Sequence, residues 1–153
     1  MDNYDTVIFL DVDGVLNSMN TPVWMGEDWD VPLARPLQNL KHIVDETGAK
    51  IVVTASWREY PTAMRKLEIA LMVFELCIAG QTPVLPTNRP DEIQTWLSNH
   101  PEVKRYVILD DDSFPWTAEQ LNKVVPVNPS LALTAQNAEL AILLLTDDDI
   151  WKD

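Results

Sequence analysis

Residues 7–17 read VIFLDVDGVLN. Val7 to Leu10 is an unbroken apolar run with β-branched residues, which predicts a strand buried on both faces. It runs straight into Asp11-Val12-Asp13-Gly14. Two carboxylates two residues apart repel each other and are costly to desolvate. The segment therefore calls for a compensating charge, and two later stretches repeat the design. Lys50 to Val53 is a second buried strand that ends in Thr54-Ala55-Ser56-Trp57-Arg58, and Tyr106 to Leu109 is a third that ends in Asp110-Asp111-Asp112.

Helical patterns fill the intervals. Leu37, Leu40, Ile43 and Val44 share one helical face, and Gly48 stops that helix. Pro61 suits the first turn of a helix through Met64, Leu67 and Leu71. Pro90 starts another, with Asp91 and Glu92 placed against its dipole, and Asn99-His100-Pro101 ends it. Leu76 to Ala79 and Val124 to Val127 read as further short strands. Thr134 caps a last helix with Leu140, Ala141, Leu144 and Leu145 on its apolar face. Strands alternating with helices predict an α/β fold with a mainly parallel central sheet. Residues 19–35 lack a period and carry Pro22, Gly26 and Pro32, so a flap or loop is expected over about 15–35.

The 153 residues suit a single domain, 1–153, with a core of its own. No apolar run is long enough to span a membrane, so no membrane is implicated. The N-terminus lacks the basic start of a secretory signal. One cysteine, Cys77, excludes an internal disulfide and fits a reducing cytoplasm; its apolar neighbours suggest an inert core thiol. The formal charge of −13 argues against a broad electrostatic grip on nucleic acid.

In a parallel sheet the three strand ends share one edge, where ligands bind. Carboxylates, hydroxyls and a guanidinium gathered there suit a phosphate ester with a hard cation. Carboxylate oxygens bind Mg²⁺ beside substrate phosphate, while hydroxyls and Arg hold phosphate oxygens. A calcium loop does not fit: Val15, Leu16 and Pro22 stand where an EF-hand needs an oxygen ligand, Gly and Glu.

DVDGVLN, VVTASWR, RPDEIQTWL and YVILDDD, in that order, resemble the haloacid dehalogenase (HAD) superfamily of phosphohydrolases. Closer still, they resemble the small HAD domains of Swiss-army-knife RNA repair proteins, and the likeness extends over nearly the whole chain. It implies a three-layer Rossmann-like HAD fold with no large cap domain, because the intervals leave room for little beyond the flap and helices. It further implies that Asp11 is the nucleophile, forming an aspartyl-phosphate, and that Asp13 is the general acid and base. Mg²⁺ would be held by Asp11, the Asp13 carbonyl, Asp110 and Asp111. Thr54 and Ser56 both remain candidates for the hydroxyl on the phosphate, with Arg58 beside them. Arg89 is the candidate for the third motif's usual Lys, bringing a planar fork instead of a point charge.

The expected activity is thus a Mg²⁺-dependent phosphatase, a phosphoric monoester hydrolase acting on a phosphorylated substrate such as a nucleic-acid end. The alternatives are a small metabolite or nucleotide as substrate, or a non-catalytic HAD-like binding module. Asp112 reads as structural, and Asp147 to Asp149 as a solvated end. His42 and His100 read as structural, and Trp24, Trp29, Trp57, Trp96, Trp116 and Trp151 as packing residues.

Overall fold

The structure, a computed structural model, describes residues 4–18 and 32–152. Five strands alternate with five helices: β1 (Thr6–Leu10), α1 (Ala34–Thr47), β2 (Lys50–Val53), α2 (Pro61–Val73), β3 (Ile78–Gln81), α3 (Arg89–Ser98), β4 (Arg105–Asp110), α4 (Ala118–Leu121), β5 (Val124–Pro126) and α5 (Ala135–Thr146). The strands form one sheet in the order β3-β2-β1-β4-β5, and every pairing is parallel. This is the expected α/β class. β1 lies at the centre, with both sides paired, which is why its residues from Val7 to Leu10 are all fully buried.

The period-two alternation of the strands divides the core in two. Ile8, Leu10, Ile51, Val53, Val107 and Leu109 face α1, α2 and α5 through Leu40, Leu67 and Ala141. Val7, Phe9, Val52, Tyr106 and Ile108 face α3 through Ile93 and Trp96. Phe9 meets Trp96 edge-on at 5.5 Å between ring centroids, a contact that adds about 0.5–1.5 kcal/mol beyond simple burial. Helices on both faces make the three layers that an all-parallel sheet requires.

The helix ends follow the sequence signals. Gly48 takes φ +71° and closes α1 with a hydrogen bond from its N–H to the Val44 carbonyl at 2.8 Å. Asn88 caps α3 by accepting the Asp91 N–H at 2.9 Å, and Thr134 and Asn137 form a capping box on α5. Several expectations move. α1 begins at Ala34, so residues 34 and 35 are helical and not part of a flap. Of the flap, residues 19–31 lie outside the described residues, and with them Trp24 and Trp29. β3 starts two residues later than expected, after Glu75 turns the chain with φ +60°. That turn leaves Leu76 buried and Cys77 exposed, which corrects the reading of Cys77 as a core thiol.

Candidate active site

The hydrogen-bond ladder of the sheet continues one residue past each strand. Asp11 N–H donates to the Leu109 carbonyl at 3.1 Å, Thr54 N–H to Leu10 at 2.9 Å and Thr82 N–H to Val53 at 3.0 Å. Asp11, Thr54 and Asp110 are each two residues beyond a side chain on the α3-facing layer, namely Phe9, Val52 and Ile108. Strand alternation therefore aims all three side chains to that layer, at the C-terminal edge of the sheet. α3 covers the same layer, and its first residue, Arg89, meets Asp11 and Asp110 there. Three chain segments and a helix start converge for reasons of register alone.

Arg89 Nη1 lies 3.2 Å from Asp11 Oδ1 and 2.8 Å from Asp110 Oδ2. Asp110 Oδ1 accepts the Asp112 N–H at 3.0 Å, giving Asp112 its structural place in the turn. One carboxylate oxygen from each of Asp11, Asp110 and Asp111 lies within 4.8 Å of the others. Asp11 and Asp110 are buried, at 6% and 1% exposure, and Asp111 is partly exposed. Burial pushes the Asp11 carboxyl up to about 8, more than the attraction of Arg89 offsets, and the Asp110 carboxylate adds to the rise. Burial raises Asp110 too, against the pull of Arg89. Two of the three acids, Asp11 and Asp110, share the Arg89 guanidinium, so the cluster carries more negative than positive charge. Its all-oxygen donor set fits Mg²⁺, which prefers carboxylates and phosphate oxygens.

Gly14 makes this packing possible. It adopts φ +82°, and a Cβ there would stand 2.3 Å from Asp111 Oδ2. Only glycine combines that dihedral with so close an approach.

Asp13 is placed differently. It is exposed, and its carboxylate stands apart from the three-acid group. Oδ2 accepts the Trp57 indole N–H at 3.0 Å, and Oδ1 accepts a side-chain N–H of Asn17 at 3.0 Å. The sequence marks Trp57 as a packing residue and gives Asn17 no role, so neither donor follows from it. The clue in the sequence was only their proximity to the two motifs.

The hydroxyl candidates separate. Thr54 is fully buried, and its Oγ1 has no hydrogen-bond partner among the described residues; the same is true of Arg89 Nε. An unpaired buried polar group costs about 1–3 kcal/mol, and phosphate oxygens could satisfy both. Ser56 is exposed and lines a cleft of about 300 Å³ with Asn88, Arg89 and Phe114. The Phe114 ring carries the Arg89 guanidinium, with Cζ 4.9 Å from its centroid.

Arg58 is a correction. Its Nε donates to the Thr82 carbonyl at 3.0 Å, its Nη1 to Thr54 and to Ala55 at 2.8 Å, and its Nη2 to Pro83 at 3.1 Å and to Glu92 at 2.8 Å. A guanidinium has five N–H donors, and all five are taken. Arg58 is a buried strut tying the ends of β2 and β3 to α3, with no donor left for a phosphate. Glu92, expected only as a dipole partner, is the other half of that strut and also accepts the Leu85 N–H at 3.0 Å.

His100 stacks on Trp96 at 3.7 Å, and exposed His42 pairs with Glu139 at 2.9 Å. Among the described residues no helix is long and apolar enough to cross a membrane. A family model described as the HAD domain in Swiss Army Knife RNA repair proteins matches residues 7–138. Comparison with curated proteins and with solved structures gives no match.

Proposed function

Because the chain belongs to the HAD domains of Swiss Army Knife RNA repair proteins, we propose that it is a Mg²⁺-dependent phosphohydrolase that removes a terminal phosphate from nucleic acid. The observation that carries this reading is the meeting of Asp11, Asp110, Asp111 and Arg89 at the sheet edge where Thr54 also lies. Asp11, Asp110 and Asp111 would hold the ion, with the Asp13 carbonyl expected from the family likeness. When bound, Mg²⁺ supplies positive charge against the phosphoryl oxygens and the buried acids.

The chain's own residues do the rest. The Asp11 carboxylate attacks phosphorus, and Asp13 hands a proton to the departing oxygen. Asp13 then takes a proton from the water that releases phosphate from Asp11. Arg89 Nε and the Thr54 hydroxyl, both unpartnered and buried, hold phosphoryl oxygens and keep phosphorus in line.

The distribution of cations favours a second reading. Of 11 Lys and Arg, Arg89 stands in the acid cluster and is committed to carboxylates, and Arg58 is spent on its strut. Lys50, Lys104, Arg105 and Lys123 stand where β2, β4 and β5 begin, at the opposite edge. This supports a grip on one phosphate, not on a long backbone, and so equally a mononucleotide or small phosphorylated metabolite.

The test is phosphate release, with and without Mg²⁺, from 3′- and 5′-phosphorylated oligonucleotides and from a panel of nucleotides and metabolites. Metal-dependent release that disappears in Asp11→Asn is expected. Release from metabolites alone selects the second reading. Silence across the panel by folded protein favours a binding module.

A further inference from the structure

We infer that Trp57 and Asn17 are positioning residues that hold the Asp13 carboxylate ready for proton transfer; the inference rests on the phosphohydrolase reading. Each donates to a different oxygen of Asp13, Trp57 Nε1 to Oδ2 and Asn17 Nδ2 to Oδ1, both at 3.0 Å. Asp13 itself is exposed, so left alone its side chain would sample several rotamers. Two donors from fixed groups remove that freedom before substrate arrives, which is where orientation lowers a barrier.

Both donors are fixed. Trp57 is fully buried and Asn17 is 2% exposed. Asn17 Oδ1 accepts the Gly14 N–H at 2.9 Å, so its carbonyl end is committed and its NH₂ must face Asp13. Gly14 can present its N–H there because of its left-handed φ of +82°. Trp57 sits in the 3₁₀ turn Ser56–Glu59 directly after β2. The Arg58 strut pins that turn by the Thr54 and Ala55 carbonyls. The route runs from a buried ion pair to a turn, from the turn to an indole, and from the indole to Asp13.

The role follows the proton. As the Asp11 oxygen bonds to phosphorus, the bond from phosphorus to the alcohol oxygen breaks and the Asp13 proton passes to that oxygen. As water then attacks phosphorus, its proton returns to Asp13 and the Asp11 carboxylate leaves. A leaving alcohol of high pKa needs the first transfer; a p-nitrophenolate does not. Loss of positioning should therefore depend on the leaving group, which a purely structural defect would not.

Trp57→Phe keeps an aromatic ring in the core and removes the N–H. Asn17→Asp keeps an acceptor for Gly14 and replaces the donor facing Asp13. Each should lower kcat/KM for an alkyl phosphate about tenfold more than for p-nitrophenyl phosphate. Added to Asp13→Asn, neither should cost anything further on the alkyl ester. Equal losses on both esters, no loss, or a loss that persists beside Asp13→Asn would overturn the inference. Should Trp57→Phe not fold, Asn17→Asp carries the same test. If the native chain hydrolyses neither ester nor any oligonucleotide with Mg²⁺, the phosphohydrolase reading fails and this role falls with it. If the native chain turns over and the ratio stays fixed, only this role fails.

Discussion

Arg58→Met removes the guanidinium and keeps most of the stem, and it separates a strut from a phosphate ligand. The side chain is 2% exposed, and its partner Glu92 is 9% exposed. Without Arg58 the Glu92 carboxylate stays buried and keeps the Leu85 N–H as a donor. The carbonyls of Thr54, Thr82 and Pro83 lose a donor as well. Ala55 keeps one, from the Arg58 backbone N–H at 3.1 Å. Removing one member of a buried ion pair costs about 3–5 kcal/mol. Hydrogen bonds to charged groups each contribute about 1.5–3 kcal/mol and do not sum. Taking about 4 kcal/mol out of a stability of about 5–15 kcal/mol is a large loss. In a domain of this size it lowers Tm by roughly 8–16 °C.

The assay is urea unfolding with calorimetry, run on Arg58→Met, Glu92→Gln and the double variant. A strut gives a coupling of about 1–3 kcal/mol between the two positions. At a temperature where Arg58→Met is folded, its KM for substrate stays within a few-fold of native. A Tm within about 2 °C of native, together with a large rise in KM, would refute the reasoning and return Arg58 to the phosphate.

Three further outcomes are expected. Thr54→Val removes an unpartnered buried hydroxyl, so stability should hold within about 1 kcal/mol. Loss of a hydrogen bond to a charged oxygen should weaken orthophosphate or vanadate binding about tenfold or more, whereas Ser56→Ala should change it little. Equal binding by native and Thr54→Val, read by titration calorimetry, would count against Thr54. Gly14→Ala should destabilise the fold by about 1–2 kcal/mol from its left-handed φ alone. It should also weaken Mg²⁺ binding by displacing Asp111, as calorimetric titration would show. Without metal, the folded protein keeps a proton on Asp11 up to about pH 8, while the unfolded chain releases it near pH 4. The folded state binds more protons across that window, so metal-free stability should fall as pH rises from about 4 to about 8. Added Mg²⁺ should raise Tm more at pH 8 than at pH 6; a Tm gain independent of pH would contradict this.

Much of the fold was legible because its signals are local. Lys50–Val53 is a strand with the expected bounds, and Pro61, Gly48 and Thr134 mark helix ends as their chemistry dictates. The meeting of Asp11 with Asp110 was also legible, since parallel strands that end in acids must bring them to one edge. What stayed hidden depends on side-chain partners distant in sequence. Nothing in TASWR says that Arg58 turns inward to Glu92, 34 positions on, instead of outward to a ligand. An indole inside TASWR looks like any core Trp until its N–H is seen to meet Asp13. Cys77 was misplaced because apolar neighbours predict burial only inside a regular element, and it follows a turn.

The two acids of the DVDG segment differ in the charge of their partners, and the difference suits their proposed work. Asp11 must be ionised to attack. It is buried, and one guanidinium shared with Asp110 leaves its carboxyl up at about 8. The proposed Mg²⁺ would supply the second positive charge that an ionised Asp11 calls for beside Asp110 and Asp111. Asp13 must both give and take a proton. Its partners, Trp57 and Asn17, are neutral donors, which fix the direction of its carboxylate.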